Sequence, residues 1–527
     1  MTTSELLTRR LSHWIGFLAM MLVWSCGEAD RNTLIFARGA DSVGLDPALE
    51  NDGESFKVCD NIYETLVTYA PGSTDLQPLL ARSWQTSPDG RTWTFRLRTD
   101  VEFHDGTAFD AHAMLFSLER QFNPDHPFHR VEGAYKYWKD MGLDEIVAAM
   151  EATDDSTLVI RLHTPSAPFL STMAMNFAAA VSPAAVARYG DEFFRNPVGT
   201  GPFRFVEWRR DERLVLEANP SYWGTPPALD RLIFKPVQES AVRFLELRQG
   251  TVHGLDYVSP EFADDIRADP NLQLLTQAGL NVGYLAMNMD KPPFDDVRVR
   301  RAINHAIDKQ ALVDHLYRGL AVPATTPIPP TMWGHDDSIM PYAYDPARAR
   351  ALLREAGFPD GFGTELWAMP IPRPYMPQPD RVAQAIQANL AAVGIQADIV
   401  QWEWGTYLDK IFNGEHTMAL LGWTSDSGDP DNILYVLLSK QAATKPAQNI
   451  AFYRNAELQD LLVEARRSVN HEHRVRLYHA AQQIVHRDAP WVPLVHTTQT
   501  IAFRRQVQGY TLHPTGIMRF HPVYISR

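Results

Sequence analysis

The segment from 417 to 432 is Thr417-Met-Ala-Leu-Leu-Gly-Trp-Thr-Ser-Asp-Ser-Gly-Asp-Pro-Asp-Asn432. Its first five residues form a short apolar run, which is typical of a buried strand in an α/β sheet. The chain then changes abruptly to polar residues. In open α/β sheets, ligands bind in the crevice beyond the carboxyl ends of the strands. The segment therefore predicts an α/β fold in which Asp426 binds a cationic group.

A second segment upstream has the same form but carries a basic residue. Residues 365–369 are predicted to form a strand, and four prolines follow it: Pro370, Pro372, Pro374 and Pro377. Each proline fixes its own φ and biases the preceding residue away from helix, so this segment is expected to be extended and stiff. It contains Arg373 and Tyr375. A guanidinium on a rigid backbone suits a carboxylate, so Arg373 and Asp426 together suit a zwitterion.

Simpler interpretations of both residues remain open from the sequence alone. Asp-Pro-Asp-Asn is common in turns, where an aspartate more often caps a helix or closes a turn than binds a ligand. An arginine among prolines is usually a solvated surface residue.

Composition and charge limit the class of protein. The chain has 527 residues, of which 45% are hydrophobic and 21% charged, so it can bury a large core and should form two or three domains. The formal net charge is −14. A nucleic-acid partner is not expected, because such proteins need an extended basic face and this sequence has no long Lys/Arg cluster.

The N-terminus has the layout of a secretory signal peptide over residues 1–25. Arg9 and Arg10 precede an apolar run over 14–24, and Ser25 precedes Cys26. Leu22-Val-Trp-Ser-Cys26 resembles the lipobox of bacterial lipoproteins, although Trp24 is bulkier than usual. These features predict an extracytoplasmic, periplasmic location with a lipid on Cys26. Cys59 would then have no intramolecular disulfide partner and is expected to be buried.

The second half of the chain alternates between predicted helices and strands. Asp345-Pro346 supplies a helix N-cap with proline at the first helical position, and Gly357 ends that helix. A second amphipathic stripe ends at Gly394 and precedes a strand over 395–400. A helix followed by a strand, twice over, indicates a βαβ-type domain.

A series of motifs over almost the whole mature chain resembles the extracellular solute-binding proteins of peptide and nickel ABC importers, family 5. The motifs are Leu80-Ala-Arg-Ser-Trp84, Ser87-Pro-Asp-Gly90, Trp93-Thr-Phe-Arg-Leu-Arg98, Val101-Glu-Phe-His-Asp-Gly106, Pro197-Val-Gly-Thr-Gly-Pro-Phe203, Asn219-Pro-Ser-Tyr-Trp-Gly224 and Leu280-Asn-Val-Gly-Tyr-Leu-Ala-Met-Asn288. Within the family, the sequence is most similar to the periplasmic dipeptide-binding proteins, through Ile328-Pro-Pro-Thr-Met-Trp-Gly334 and the two segments described above.

The resemblance implies a fold and a division into lobes. The expected fold is α/β and periplasmic-binding-protein-like, with two lobes around a hinge and an additional domain (the three-lobed, cluster C type). Lobe I would comprise 33–67, 204–279 and 501–527; lobe II would comprise 68–203; and lobe III would comprise 280–500. The ligand would lie between lobes I and III, with hinges near 279–283 and 497–502.

The resemblance also implies ligand-binding roles. Asp426 would pair with the α-amino group of a dipeptide and Arg373 with its carboxylate, while Tyr375, Trp423 and a loop over 51–55 would wall the pocket. From that loop we name Gly53, Glu54 and Ser55 as ligand-facing. The uncommon carboxylate of Glu54 would either favour a basic ligand group or point to solvent.

The expected function is capture of dipeptides and delivery to an ABC permease and ATPase complex, by a protein expected to be monomeric. Relatives of similar sequence take up glutathione or haem, so these ligands remain alternatives. A peptide hydrolase is the alternative from another class, but no Gly-x-Ser-x-Gly elbow precedes a triad and His-Glu-x-x-His is absent. We therefore expect no enzyme activity, no metal site and no cofactor. The pair His471 and His473 is assigned to a helix start.

Overall fold

The longest strand of the fold, Trp491–Arg504, lies in the middle of a twelve-stranded sheet and joins its two halves. The structure is a computed structural model that describes residues 32–130 and 135–526. Its strands are β1 (Thr33–Arg38), β2 (Val67–Tyr69), β3 (Leu76–Pro78), β4 (Ala81–Thr86), β5 (Thr92–Leu97), β6 (Val147–Asp154), β7 (Thr157–Leu162), β8 (Phe203–Arg209), β9 (Arg213–Ala218), β10 (Arg231–Pro236), β11 (Gly254–Asp256), β12 (Leu272–Ala278), β13 (Asn281–Met287), β14 (Ala321–Pro323), β15 (Phe362–Trp367), β16 (Ile395–Val400), β17 (Met418–Thr424), β18 (Trp491–Arg504), β19 (Val507–Gln508) and β20 (Tyr524–Ile525).

Helices pack around these strands. They are α1 (Gly53–Ile62), α2 (Ala111–Phe122), α3 (Lys136–Asp140), α4 (Leu143–Ile146), α5 (Phe169–Thr172), α6 (Pro183–Tyr189), α7 (Ser240–Gln249), α8 (Ala263–Ala268), α9 (Val297–Ala306), α10 (Lys309–Leu312), α11 (Pro346–Glu355), α12 (Pro379–Ala391), α13 (Trp404–Phe412), α14 (Asp431–Leu438), α15 (Ala456–Arg467) and α16 (His471–Asp488). Short 3₁₀ turns and one π-helical turn (Val313–Tyr317) complete the secondary structure of the described residues.

The large sheet has the strand order β16-β15-β17-β13-β18-β11-β1-β10-β9-β8, and β12 and β14 also pair with β18. The first half of β18 pairs with β13 and β14, and its second half pairs with β12 and β11. The predicted lobe boundary at 500/501 therefore falls inside a continuous strand. A separate antiparallel sheet, β4-β5-β7-β6, lies within the segment assigned to lobe II. The division into three lobes itself stays a prediction.

The helix and strand signals in the second half of the sequence are confirmed. The Asp345 carboxylate caps α11 by accepting a hydrogen bond from the Arg348 N–H at 2.9 Å, and Gly357 follows the helix with a φ of +96°. Helix α12 then leads into β16, which pairs in parallel with β15. This β15-α12-β16 unit places the proline-rich segment directly after β15, at the carboxyl end of the sheet.

The predicted loop over 51–55 is wrong in part. Asp52 is the N-cap of α1, and its Oδ1 accepts hydrogen bonds from the N–H groups of Glu54 and Ser55, both at 3.0 Å. Residues 53–55 are therefore the first turn of a helix. An aspartate followed by an amphipathic run is a standard helix start, so the capping chemistry was visible in the sequence.

The one cysteine in the described residues behaves as predicted: Cys59 is fully buried and is a free thiol. The predicted signal peptide and Cys26 lie outside the described residues. Within residues 32–130 and 135–526, no helix combines the length and the apolar character needed to cross a membrane.

Candidate ligand-binding site

A cavity of about 610 Å³ lies where α1, α3, the proline-rich segment and the end of β17 meet. Pockets for small molecules typically measure about 300–1,000 Å³. Five predicted ligand-facing residues line this cavity: Asp426, Arg373, Tyr375, Trp423 and Gly53. The structure therefore brings the acidic and the basic segment of the sequence to one site.

Asp426 has the least satisfied carboxylate of the site. Its Oδ1 accepts a hydrogen bond from the Tyr137 hydroxyl at 3.4 Å, while its Oδ2 is buried without a partner among the described residues. Burial raises the pKa of Asp426 to about 7, and the nearby Asp140 carboxylate acts in the same direction. An unpaired buried carboxylate is costly, so this position suits a ligand cation.

The other two aspartates of the same turn each have a cationic partner. Asp429 pairs with Arg474 at 2.7 Å, and Asp431 lies 3.3 Å from Arg466. Both carboxylates therefore hold the turn against α15 and α16. Of these three acids, only Asp426 has no cation beside it in the described part of the chain.

The backbone around Asp426 is fixed by one asparagine. The Asn432 Oδ1 accepts hydrogen bonds from the Asp426 N–H at 3.1 Å and from the Trp423 indole N–H at 2.9 Å. Asn432 lies in the first turn of α14. It thus ties the helix start to both cavity-facing residues, and it was not predicted as a site residue.

Arg373 is held on a rigid loop without an acidic partner. Its backbone N–H and C=O pair with those of Met376 at 3.1 and 2.9 Å. Its guanidinium lies over the Trp404 ring, 4.5 Å from the ring centroid, and forms no ion pair in the described residues. An arginine stacked on an aromatic ring keeps its hydrogen-bond donors available in the ring plane.

Tyr375 requires the glycine at 422. A Cβ added to Gly422 would lie 2.2 Å from the Tyr375 ring atom Cδ2, which no real contact permits. The ring therefore packs directly on the β17 backbone, and Tyr375 is 8% exposed. This contact fixes the proline-rich segment, which carries Arg373, over the end of β17, which carries Trp423.

Glu54 and Ser55 do not line the cavity, in contrast to the prediction. Helix geometry explains this: the cavity-lining positions within α1 are 53, 56, 57, 60 and 61, which share one face of a helix. Glu54 instead pairs with Lys57 at 2.5 Å, and the Ser55 hydroxyl accepts a hydrogen bond from the Val43 N–H at 3.0 Å. Glu54 thus points neither into the cavity nor to open solvent.

Tyr137 was not predicted as a site residue. It lies in the five-residue helix α3, and its ring contacts Phe56 and Phe177 with centroid distances of 5.5 and 6.1 Å. These rings fix the hydroxyl that reaches Asp426. The position depends on tertiary packing between distant segments, so no local pattern could reveal it.

Metal-ligand geometry is not found in the described residues, since no three His, Cys, Asp or Glu side chains are grouped to hold an ion.

His473, which we assigned to a helix start, contacts Glu464 at 2.7 Å, and the Asn470 side chain caps the helix by accepting from the His473 N–H.

The fold and the enclosed, charged cavity are those of an α/β protein of the periplasmic-binding type. The family model for bacterial extracellular solute-binding proteins, family 5 middle, matches residues 75–445. The chain belongs to this family, as its motifs indicated.

Curated relatives are similar over nearly the full length of this chain. The dipeptide-binding protein of Escherichia coli (strain K12) is 38% identical over 526 residues, covering 97% of each chain. The heme-binding protein A of Haemophilus influenzae is 38% identical over 518 residues, covering 95% of this chain and 93% of the relative. Sequence identity therefore does not separate a peptide ligand from haem.

Solved structures confirm the predicted fold. The ABC transporter-associated periplasmic binding protein DppA from Helicobacter pylori, in complex with the peptide STSA, has a TM-score of 0.85 and 39% identity, covering 94% of this chain and 98% of that chain. The dipeptide-binding protein from Pseudoalteromonas sp. SM9913, in complex with Met-Leu, has a TM-score of 0.86 and 30% identity, covering 94% and 100%.

Proposed function

We propose that this protein is the substrate-binding component of an ABC importer and that it captures short peptides, dipeptides above all, in the cavity at Asp426 and Arg373. The α-amino group of the peptide pairs with Asp426, and the peptide carboxylate pairs with Arg373. Tyr375, Trp423 and Gly53 form part of the wall.

One observation carries the proposal: the same cavity presents a buried carboxylate oxygen without a partner and a guanidinium without an acid. Neighbouring acids in the turn are neutralised by Arg474 and Arg466, so the free charge of Asp426 is specific to this position. A ligand with one ammonium and one carboxylate satisfies both groups. Peptides have these two charges at their ends.

Two such contacts, together with enclosure of the peptide, provide enough binding free energy for a transport receptor. Hydrogen bonds to charged groups contribute about 1.5 to 3 kcal/mol each, and micromolar affinity requires about 8 kcal/mol. Two charged anchors therefore supply a large part of the binding free energy, and enclosure of the peptide supplies the rest. Because the anchors are fixed on rigid segments, their separation would select peptide length.

The proposed binding mode involves closure of predicted lobes I and III around hinges near 279–283 and 497–502. Contacts at the first hinge support a defined hinge position. The Asn281 side chain accepts from the Thr497 N–H at 2.8 Å and donates to the Thr497 carbonyl at 3.1 Å. The Thr497 hydroxyl donates to the Pro374 carbonyl at 3.0 Å, next to Arg373. The hinge is thus linked to the ligand-binding arginine.

The proposed cellular role follows from the family. The protein would act outside the cytoplasm, in the periplasm, tethered by a lipid on Cys26, and would deliver its ligand as a monomer to the permease and ATPase complex of the importer. It would bind its ligand and not transform it.

Haem and glutathione are the competing ligands. A relative of equal identity is a haem-binding protein, and glutathione is a peptide with an ammonium and carboxylates. Calorimetric titration of the signal-free protein with Ala-Ala, a tripeptide, glutathione and haem tests the proposal. Tight binding of Ala-Ala, with loss of binding on N-acetylation, supports it. Binding of haem or glutathione alone would keep the receptor and reject dipeptides as its ligands.

A further inference from the structure

A second guanidinium without an acidic contact lines the same cavity. Arg519 is half-buried, and its side chain forms no hydrogen bond or ion pair with any residue that the structure describes. A guanidinium has five N–H donors, and it is favourably placed in a partly buried site only when some of them find acceptors. The N–H donors of Arg519 therefore find no acceptor among its protein neighbours.

The backbone presents Arg519 to the cavity in a fixed orientation. On either side of it, the Asn61 side chain donates to the Met518 carbonyl at 2.9 Å and accepts from the Phe520 N–H at 2.9 Å. Met518 and Phe520 are 4% and 0% exposed, whereas Arg519 between them is partly exposed and lines the cavity. The position is thus pre-organised by α1, which also forms the cavity wall.

Two carboxylates, Asp60 and Glu64, lie in the same wall, and both are already satisfied by neutral donors. Asp60 accepts from the Asn176 amide at 3.0 Å and from the Met518 N–H at 2.8 Å. Burial raises the pKa of Asp60 to about 6 and also raises the pKa of Glu64. Arg519 lowers both pKa values from a distance, without a direct contact.

The oxygens of Glu64 are fully used. Its Oε1 accepts from the Tyr222 hydroxyl at 2.9 Å, and its Oε2 accepts from the Trp223 indole at 2.9 Å and the Thr200 hydroxyl at 2.8 Å. Asp60 and Glu64 thus accept hydrogen bonds from other residues of the cavity wall. The N–H donors of Arg519 stay free for a ligand.

The remaining charges of the cavity are matched within the protein. Lys136 pairs with Asp140, Lys57 pairs with Glu54 and Asp256, and Asp52 caps α1. The guanidinia at 373 and 519 have no acceptor in the described residues, and Asp426, whose Oδ2 has no partner, has no cation beside it. Asp60 and Glu64 also lack a cationic contact, but neutral donors satisfy them. A ligand that matches the two guanidinia and Asp426 has one ammonium and two carboxylates.

A second donor lies in this part of the wall. Gln499, on β18, lines the cavity, is 8% exposed, and its side chain has no hydrogen-bond partner in the described chain. An amide N–H and a guanidinium are both suited to a carboxylate.

We propose that Arg519 forms a second carboxylate subsite, so that the cavity prefers peptides with an acidic group in addition to their terminal carboxylate. This inference rests on the proposed function. Peptides with an Asp or Glu side chain and γ-glutamyl peptides such as glutathione share the required chemistry.

Isosteric ligand pairs test the subsite. We would titrate the wild-type protein with Ala-Glu and Ala-Gln, with Glu-Ala and Gln-Ala, with Ala-Ala, and with glutathione. In at least one pair, the acidic peptide should bind about tenfold or more tighter than its amide analogue, as a charge-assisted contact predicts. Equal affinities in both pairs, together with no glutathione binding that depends on Arg519, would overturn the subsite.

Variants assign any preference to Arg519. Arg519→Gln should abolish the preference for the acidic ligand, measured as the ratio of its affinity to that of its amide analogue, because that ratio depends on the second carboxylate contact. Arg519→Lys should keep part of the preference, and Arg231→Gln, at an exposed position outside the cavity, should keep all of it. A preference that survives in Arg519→Gln would overturn the assignment, and thermal melts of each variant without ligand confirm folding.

The outcomes separate the two proposals. Binding of Ala-Ala without any preference for acid supports the proposed function and rejects the subsite. Failure of every ligand to bind, Ala-Ala and glutathione included, rejects the proposed function and this inference with it. Arg519-dependent binding of glutathione alone supports the subsite and identifies γ-glutamyl peptides as its ligands.

Discussion

Replacing Asp426 by asparagine changes the charge of the proposed amine site with little change in its shape. The amide oxygen can still accept from the Tyr137 hydroxyl, which lies 3.4 Å from Oδ1 in the native protein. The ligand ammonium would then lie in a buried site without its counter-ion. Removing one partner of a buried charge pair costs about 2 to 5 kcal/mol, which corresponds to an affinity loss of about 30- to 4,000-fold.

Calorimetric titration of wild-type and Asp426→Asn protein with Ala-Ala and N-acetyl-Ala-Ala isolates this contact. Acetylation should greatly weaken binding to wild-type protein and should have little further effect on the variant, because the ammonium and Asp426 act as a pair. Asp337→Asn is a matched control, since that side chain is 96% exposed. Ala-Ala affinity within about threefold of wild type in Asp426→Asn would refute the assignment.

Asp426→Asn is expected to weaken ligand binding but to stabilise the ligand-free protein at high pH. The pKa of Asp426 is raised on folding to about 7, so the folded state binds more protons between its ordinary pKa and that value. The free energy of unfolding contributed by this group therefore falls as pH rises through this range. Without ligand, Asp426→Asn should melt higher than wild type near pH 8, and the difference should shrink as the pH falls toward the ordinary pKa of an aspartate, as thermal denaturation would show. A lower melting temperature near pH 8 would mean that Asp426 stabilises the empty protein.

Further predictions concern proton release, the carboxylate anchor and the packing of the site. Because the pKa of Asp426 is raised to about 7 and the group must ionise to bind an ammonium, dipeptide binding should release protons near pH 6. Net release should fall as the pH rises toward 8, where Asp426 is already ionised and the ligand amine takes up protons on binding. Calorimetry in buffers of different ionisation enthalpy measures this, and equal release at both pH values would contradict it. Arg373→Gln should weaken Ala-Ala binding by at least about tenfold and should not further weaken binding of the C-terminal amide, because the lost contact is to the carboxylate; Arg373→Lys should be intermediate, since it keeps the charge but loses the stacking on Trp404. Gly422→Ala should displace the Tyr375 ring, with a loss of about 1–3 kcal/mol in the free energy of unfolding by chemical denaturation; unchanged stability together with unchanged affinity would show that the ring has room to move.

Local rules predicted the elements that carry the site. The apolar run before Gly422 predicted β17. The prolines after 369 predicted the end of β15 and the stiff segment with Arg373. Both predictions were possible because strand composition and proline geometry act over a few residues. The boundaries shifted: β17 extends to Thr424 and β15 begins at Phe362. Pairing with neighbouring strands sets these ends, and it is not encoded locally.

The error at Glu54 and Ser55 arose because a loop assignment does not specify the direction in which each side chain points. Once 53–55 is the first turn of α1, the period of 3.6 residues fixes which side chains face the cavity, and these two face away from it. The resemblance to the family located the segment correctly, but it could not orient each side chain.

Tyr137, Asn432 and Arg519 were missed for another reason. Tyr137 and Arg519 reach the cavity through contacts between segments that are far apart in sequence, such as Asn61 with Met518 at a separation of 457 residues. Asn432 instead acts on Asp426 and Trp423, which are 6 and 9 residues away. No periodicity or motif in the sequence reports such contacts. Asp426 was found because its turn follows a strand, but only the structure shows that the neighbouring acids are paired and that Asp426 is not.

A crystal structure of the protein with Ala-Ala tests the central claim most directly. The account predicts that the ligand ammonium lies within about 3 Å of Asp426 Oδ2, as a charge-assisted hydrogen bond requires, with the ligand carboxylate on the Arg373 guanidinium. A dipeptide in the reverse orientation, or bound away from these two residues, would contradict it.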